Sequence, residues 1–194
     1  MLACTQEVDD DSYPDWDTMV STLFDSQTYV MTYINPYLAV NVPSEKKHYH
    51  RYLFKEAADL GYLVTNASGD PYVDFSATRD FLFGTVDLTN PAALDWYANI
   101  IRTNMLGRGQ VGWMHDFGEY LPFDAVLANG SPGQVHNKFP ELWASVGREA
   151  ITQSDGTLLE VSPPTMARCA VPGLTLDTLP RVHLLSGGRS RDIM

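Results

Sequence analysis

The sequence predicts an α/β fold with about three to four βα units around a parallel sheet, amounting to part of a (β/α)8 barrel. Three observations lead there. Runs rich in aromatic and β-branched residues alternate with helix-periodic segments along most of the 194 residues. The loops after the strands are long and hold the unusual residues, as in barrels whose active sites sit at the carboxyl ends of the strands. Only three or four strands can be counted, whereas a complete barrel has eight strands and roughly 250 residues. An open doubly wound sheet would show the same alternation, but no strand-to-helix turn carries a phosphate-binding glycine fingerprint.

Residues 13–27 (YPDWDTMVSTLFDSQ) place Pro14 near a helix start and Trp16, Met19, Val20 and Phe24 at helical spacing. Residues 29–40 (YVMTYINPYLAV) are broken by Pro36 and read as a strand followed by a loop. Residues 44–61 have Ser44 as a cap, helix formers, and Gly61 as a stop, so they read as a helix. Residues 84–90 (GTVDLTN) read as a strand, and residues 91–107 as a helix opened by Pro91 and closed by Gly107. The apolar Val111, Trp113 and Met114 mark the next strand. Residues 137–153 read as a helix, and residues 157–162 (TLLEVS) as one more strand.

Composition narrows the function. The chain is 44% hydrophobic and 11% aromatic, enough for a sizeable core. Its formal net charge of -11 argues against a nucleic-acid partner, which calls for a basic face. No apolar run approaches the ~18 residues of a membrane span. The opening MLACTQEVDDD lacks the basic and apolar regions of a secretory signal. Cys4 and Cys169 make neither a disulfide framework nor a zinc spacing, so a reducing, cytoplasmic setting is the default. His48 and His50 suggest a metal, but at i and i+2 on a helix they point apart. Asp9, Asp10 and Asp11 read as a solvated run before a helix.

The most informative stretch is GQVGWMHDFGEYLPFD, residues 109–124. It begins as an apolar strand, then places Asp116, Glu119 and Asp124 among Phe117, Tyr120 and Phe123. A carboxylate at the buried end of a strand loses hydration, a cost that persists where something uses the charge. From the residues alone, Asp116 reads equally as a functional carboxylate or as one capping a loop. Glu119 and Asp124 read more readily as solvated loop residues. Asp87 reads as a cap for the turn before Pro91. Tyr33 and Asn35 are candidates to line a cleft, although a tyrosine-rich strand is more often core.

The segment GWMHDFGEYLPFDA (112–125) resembles the nucleophile strand of glycoside hydrolase family 31, especially its sulfoquinovosidases and related bacterial α-glucosidases. Further similar segments follow the same order: YPDWD (13–17), TYINPYLA (32–39), AADLGYLVTNASGDPY (57–72), GTVDLTNP (84–91) and HNKFPELWASVGREA (136–150). The resemblance covers roughly residues 8–155. Commoner members read Asp-Met-Asn-Glu-Pro where this chain has Asp116-Phe117-Gly118-Glu119-Tyr120, which favours the sulfoquinovosidase-like branch.

The resemblance implies a retaining α-glycosidase with a (β/α)8 catalytic domain, acting on an α-linked sugar or sulfosugar glycoside without a metal or organic cofactor. It implies Asp116 as nucleophile, Phe117 beside the sugar, and Glu119 holding Asp116 or binding ring hydroxyls. Arg168 lies about where the family places a helpful arginine. The same resemblance marks two gaps: the Gly-Asp-Gln segment that carries the family's acid/base, and the early Gln-Asp-Trp strand near which sulfonate is recognised, do not occur. Residues 165–194 have no aromatic side chain and hold four of the thirteen basic residues, Arg168, Arg181, Arg189 and Arg191. The expected organisation is therefore a partial catalytic barrel over 8–163 and an irregular, non-family tail over 164–194, with the tail reading as a premature or out-of-frame end. On this reading the chain is inactive alone. The rivals are a non-catalytic sugar- or partner-binding protein, and an enzyme completed by a second polypeptide. The oligomeric state is left open.

Overall fold

The computed structural model describes residues 6–40, 51–75 and 82–153, and the backbone of 158–162, 166–169 and 182–184. Its elements are α1 (Trp16–Asp25), β1 (Tyr29–Ile34), β2 (Tyr37–Ala39), α2 (Leu53–Asp59), β3 (Val73–Phe75), β4 (Leu82–Thr85), α3 (Pro91–Asn104), β5 (Gly112–His115), α4 (Pro132–Val135), α5 (Phe139–Thr152), β6 (Leu158–Ser162), β7 (Met166–Cys169) and β8 (Val182–Leu184). One five-stranded and one three-stranded sheet hold these strands, in the orders β6-β7-β5-β1-β8 and β2-β4-β3.

The α/β barrel character rests on β1 and β5, which run parallel with Tyr33 opposite Met114 and Ile34 opposite His115. The chain between them passes through α3, the crossover that two parallel neighbours require. Helix α3 starts where the sequence says it should. Asn90 Oδ1 accepts the Ala92 N–H at 3.0 Å, and Pro91 occupies the first position, where no N–H is needed. Its buried face, Ala93, Tyr97, Ala98, Ile100 and Ile101, recurs at helical spacing. That face and the Phe139, Trp143, Val146, Ala150 and Ile151 face of α5 share one core with Ile34 and Trp113. Helix α1 lies at the other end of the sheet, where the Trp16 indole N–H donates to Arg108 O at 2.9 Å.

Several elements differ from expectation. The residues after Pro36 form strand β2, and the strand expected over 84–90 runs from Leu82 to Thr85. It lies antiparallel between β2 and β3 in the small sheet, outside the parallel one. The cause is local: Val86 N–H donates to Pro36 O at 3.1 Å and Val64 N–H to Thr85 O at 2.9 Å, so the long β1–α3 connection satisfies its own backbone. Strand β1 therefore has β5 as its direct parallel neighbour, and the described βα units number two, β1–α3 and β5–α5. Within the stretch 44–61 expected to be one helix, α2 starts only at Leu53, after the non-helical Arg51 and Tyr52, and is stopped by Gly61 at φ 69. Ser44, His48 and His50 lie outside the described residues. Strand β6 falls where residues 157–162 were expected to form one.

The stretch 164–194, expected to be irregular, supplies two short strands. Strand β7 pairs antiparallel with both β5 and β6, and β8 pairs parallel with β1. Unpaired strand edges attract such partners because each exposed backbone N–H and C=O favours a ladder bond.

Candidate active site

Two long connections leave the carboxyl ends of β1 and β5, and Asp116, Phe117 and Tyr33 come together there. Asp116 follows β5 directly. Its N–H donates to Ile34 O at 3.0 Å, so the ladder with β1 extends one step past the strand. Side chains alternate along a strand, which puts Asp116 on the face of Met114, whose partner across the ladder is Tyr33. The Tyr33 hydroxyl donates to Asp116 Oδ2 at 2.9 Å. The other oxygen, Oδ1, accepts the N–H of Phe117 at 3.0 Å. The carboxylate is half-buried and bonded on both oxygens, and it projects at the strand end where barrel enzymes keep their chemistry.

The turn after Asp116 is tightly built. Phe117 takes φ 60 and Gly118 φ 106. For Phe117 that left-handed conformation costs roughly 1–2 kcal/mol, so the surroundings must hold it. Trp143 of α5 does the holding: its indole N–H donates to Asp116 O at 3.0 Å. Gly118 packs so close to the same ring that a Cβ there would stand 2.9 Å from Trp143 Cδ1. A glycine is thus required both by φ and by space.

His115 points the other way, toward α5, and stacks on Trp143 with ring centroids 4.0 Å apart. Trp113 Nε1 donates to its Nδ1 at 3.1 Å. An indole N–H can only donate, so Nδ1 is the acceptor, and Nε2–H donates to Trp143 O at 2.9 Å. Burial pushes the imidazole down to about 4, with the Trp143 carbonyl and the Asp116 charge opposing it in part. His115 is therefore a neutral brace behind the Asp116 turn.

Aromatic rings border Asp116 on the open side. Phe117 is 40% exposed and Tyr120 61%, their centroids 6.0 Å apart. Phe117 also lies 5.5 Å from Tyr37, which packs 4.3 Å from Phe83. The Tyr37 phenol is pushed far up, chiefly by burial and then by the nearby Glu119 charge, with the Gly118 backbone opposing in part. Such rings offer flat apolar surface to a ligand that also needs a carboxylate.

The remaining candidates separate. Glu119 is exposed, and among the described residues it makes no hydrogen bond to Asp116. Asp124 accepts from the Tyr72 hydroxyl at 3.0 Å. Asp87 is 3% exposed and buried in a cap: Oδ1 accepts the Thr89 N–H at 3.0 Å, and Oδ2 the Ala128 N–H at 2.6 Å. Asn35 is buried, its Oδ1 accepting Tyr37 N–H at 3.0 Å, so it shapes the turn after β1. The backbone of Arg168 lies on β7 opposite Gly112, at the far end of β5 from Asp116. No group of three His, Cys, Asp or Glu suited to a metal occurs among the described residues. Trp143 and His115 were not singled out in the sequence. Their signal was the alternation of Trp113 and His115, which places both on the helix-facing side of β5.

Comparison with known proteins gives this geometry its context. Residues 2–175 match the glycosyl hydrolases family 31 TIM-barrel domain. The chain is 41% identical over 153 residues to the sulfoquinovosidase of Escherichia coli, covering 78% of this chain and 21% of that protein. It is likewise 41% identical over 148 residues to the sulfoquinovosidase of Agrobacterium fabrum, covering 75% and 20%. A solved family 31 sulfoquinovosidase from E. rectale, in complex with an aza-sugar inhibitor, superimposes with a TM-score of 0.64 at 38% identity, covering 73% of this chain and 20% of that one. The chain thus spans about a fifth of the length of the relatives it matches. With a partial α/β barrel in the structure and the barrel-domain match over most of its length, this chain belongs to glycosyl hydrolase family 31.

Proposed function

We propose that these residues form the nucleophile side of a retaining α-glycosidase active site, with Asp116 as the attacking carboxylate. The observation that carries the reading is the Asp116 carboxylate itself: it stands at the carboxyl end of β5, bonded by Tyr33 and the Phe117 N–H, beside exposed aromatic rings. In this role a carboxylate oxygen bonds to the anomeric carbon as the bond to the leaving oxygen breaks. The resulting glycosyl ester is then cleaved by water. Phe117 and Tyr120 provide the apolar border of the sugar site, and Glu119 offers a second acceptor near its rim. Identity of 41% to two sulfoquinovosidases supports an α-linked sulfosugar glycoside as substrate class, with a plain α-glucoside as the alternative.

A second reading, sugar binding without turnover, is favoured by one observation: no Gly-Asp-Gln tripeptide occurs in the 194 residues. A missing general acid typically slows hydrolysis by about 10²–10⁴-fold. The test is incubation with a 5-fluoro α-glycosyl fluoride of glucose or sulfoquinovose, followed by peptide mass mapping. Fluoride departs without a protonating acid, so attack alone should leave an adduct. The expected adduct sits on Asp116 and is absent in Asp116→Asn. An adduct on Glu119 or Asp124 would show that another carboxylate is the nucleophile.

A further inference from the structure

We infer that Tyr33 is a positioning residue for the Asp116 carboxylate, an inference that rests on reading Asp116 as the nucleophile. Parallel pairing of β1 and β5 sets Tyr33 opposite Met114, one alternation before Asp116 on the same face. The phenol reaches Asp116 Oδ2 at 2.9 Å across the ladder. The opposite oxygen is tied to the Phe117 N–H at 3.0 Å. Two bonds from different directions fix both the position of the carboxylate and the plane of its two oxygens, whereas either one alone would leave rotation about the Cβ–Cγ bond.

The two anchors come from structures of different rigidity. The Phe117 N–H belongs to a turn in the left-handed region, held by Trp143. Tyr33 sits within strand β1, opposite Met114 in the parallel ladder with β5. A side chain on a strand is located more firmly than one on a loop. The phenol thus references the nucleophile to the sheet, independently of the turn that carries it. During attack one carboxylate oxygen becomes the ester oxygen and the other its carbonyl, which still accepts a hydrogen bond. The phenol keeps its proton throughout and can hold the group through formation and cleavage of the ester. A misaligned attacking atom loses rate steeply, so removal of the hydroxyl should act on the bond-making step and leave sugar binding alone.

The experiment compares the wild-type chain with Tyr33→Phe, which keeps the ring and removes only the hydroxyl. Labelling by the 5-fluoro α-glycosyl fluoride is followed by intact mass over a range of reagent concentrations, and crystal structures of both proteins are determined. The expected result is a saturating labelling rate reduced about tenfold or more, as for loss of a hydrogen bond to a charged group. The half-saturating concentration and the unfolding midpoint should be unchanged, and the Asp116 carboxylate should be rotated in the variant crystal. A carboxylate that stays in place in Tyr33→Phe overturns the inference, as does an unchanged labelling rate at Asp116. A wild-type adduct on another carboxylate overturns the nucleophile reading alone, and the Asp116 orientation in the two crystals then decides whether Tyr33 positions it.

Discussion

Asp116 was visible from its neighbours: an apolar strand that ends in a carboxylate is a local pattern. What binds that carboxylate was not legible, because the Tyr33 contact depends on the β1–β5 register, a pairing across 83 positions of chain. His115 was hidden for another reason. A histidine beside a candidate aspartate suggests chemistry, yet alternation turns it away from Asp116, onto the Trp143 ring and into a hydrogen bond from Trp113. This placement has a pH consequence. His115 is held down to about 4 from 6.5, so between those values the unfolded chain takes up a proton that the folded chain refuses. The contribution to stability is complete above about pH 6.5 and is lost as pH falls toward 4, amounting to about 3 kcal/mol over the window. Urea unfolding at pH 7 and at pH 4 should therefore show a smaller acid loss in His115→Asn than in wild type. An equal loss would mean that the imidazole is not buried neutral.

At the scale of elements, helices α1, α3 and α5 were legible because their apolar residues repeat at helical spacing and Pro14 and Pro91 mark two of the starts, although α3 ends at Asn104 and not at the expected Gly107. The small sheet was not. Strand β3 has three residues, too few to show alternation, and β2 was masked by Pro36 just before it. Strand β4 was found but misplaced, since its apolar run does not say which sheet it joins. The β1–α3 and β5–α5 connections are tied together by Asp87, a residue whose capping role the turn before Pro91 did indicate. Its two oxygens serve Thr89 in one connection and Ala128 in the other. Asp87→Ala leaves buried N–H groups without an acceptor and should cost about 3 kcal/mol by urea unfolding. Asp87→Asn, which retains one acceptor oxygen, should cost less. Equal, small losses in both would contradict the tether.

For the whole molecule, alternation predicted an α/β barrel portion, and the parallel β1–β5 pair with α3 and α5 outside it is that portion. Beyond residue 155 strand β6 was legible from its apolar run, whereas β7 and β8 are three or four residues long and pair with distant β5 and β1, which no local pattern encodes. The same division applies to chemistry. Asp116, proposed as the nucleophile, and the groups that bond it lie within one βα unit and its neighbour, whereas acid/base catalysis needs a carboxyl group about 5–5.5 Å across the sugar. On the proposed reading, Asp116 attacks an anomeric carbon without help from a Gly-Asp-Gln acid, a segment that the 194 residues do not contain. Leaving-group dependence tests it most directly: intact mass and product release are followed for the wild-type chain and Asp116→Asn, with an α-glycosyl fluoride and with the methyl α-glycoside of the same sugar. The expected result is attack on the fluoride that disappears in Asp116→Asn, and turnover of the methyl glycoside well below the ~1 s⁻¹ floor of ordinary enzymes. Methyl glycoside turnover above that floor, or fluoride cleavage that survives Asp116→Asn, would contradict it.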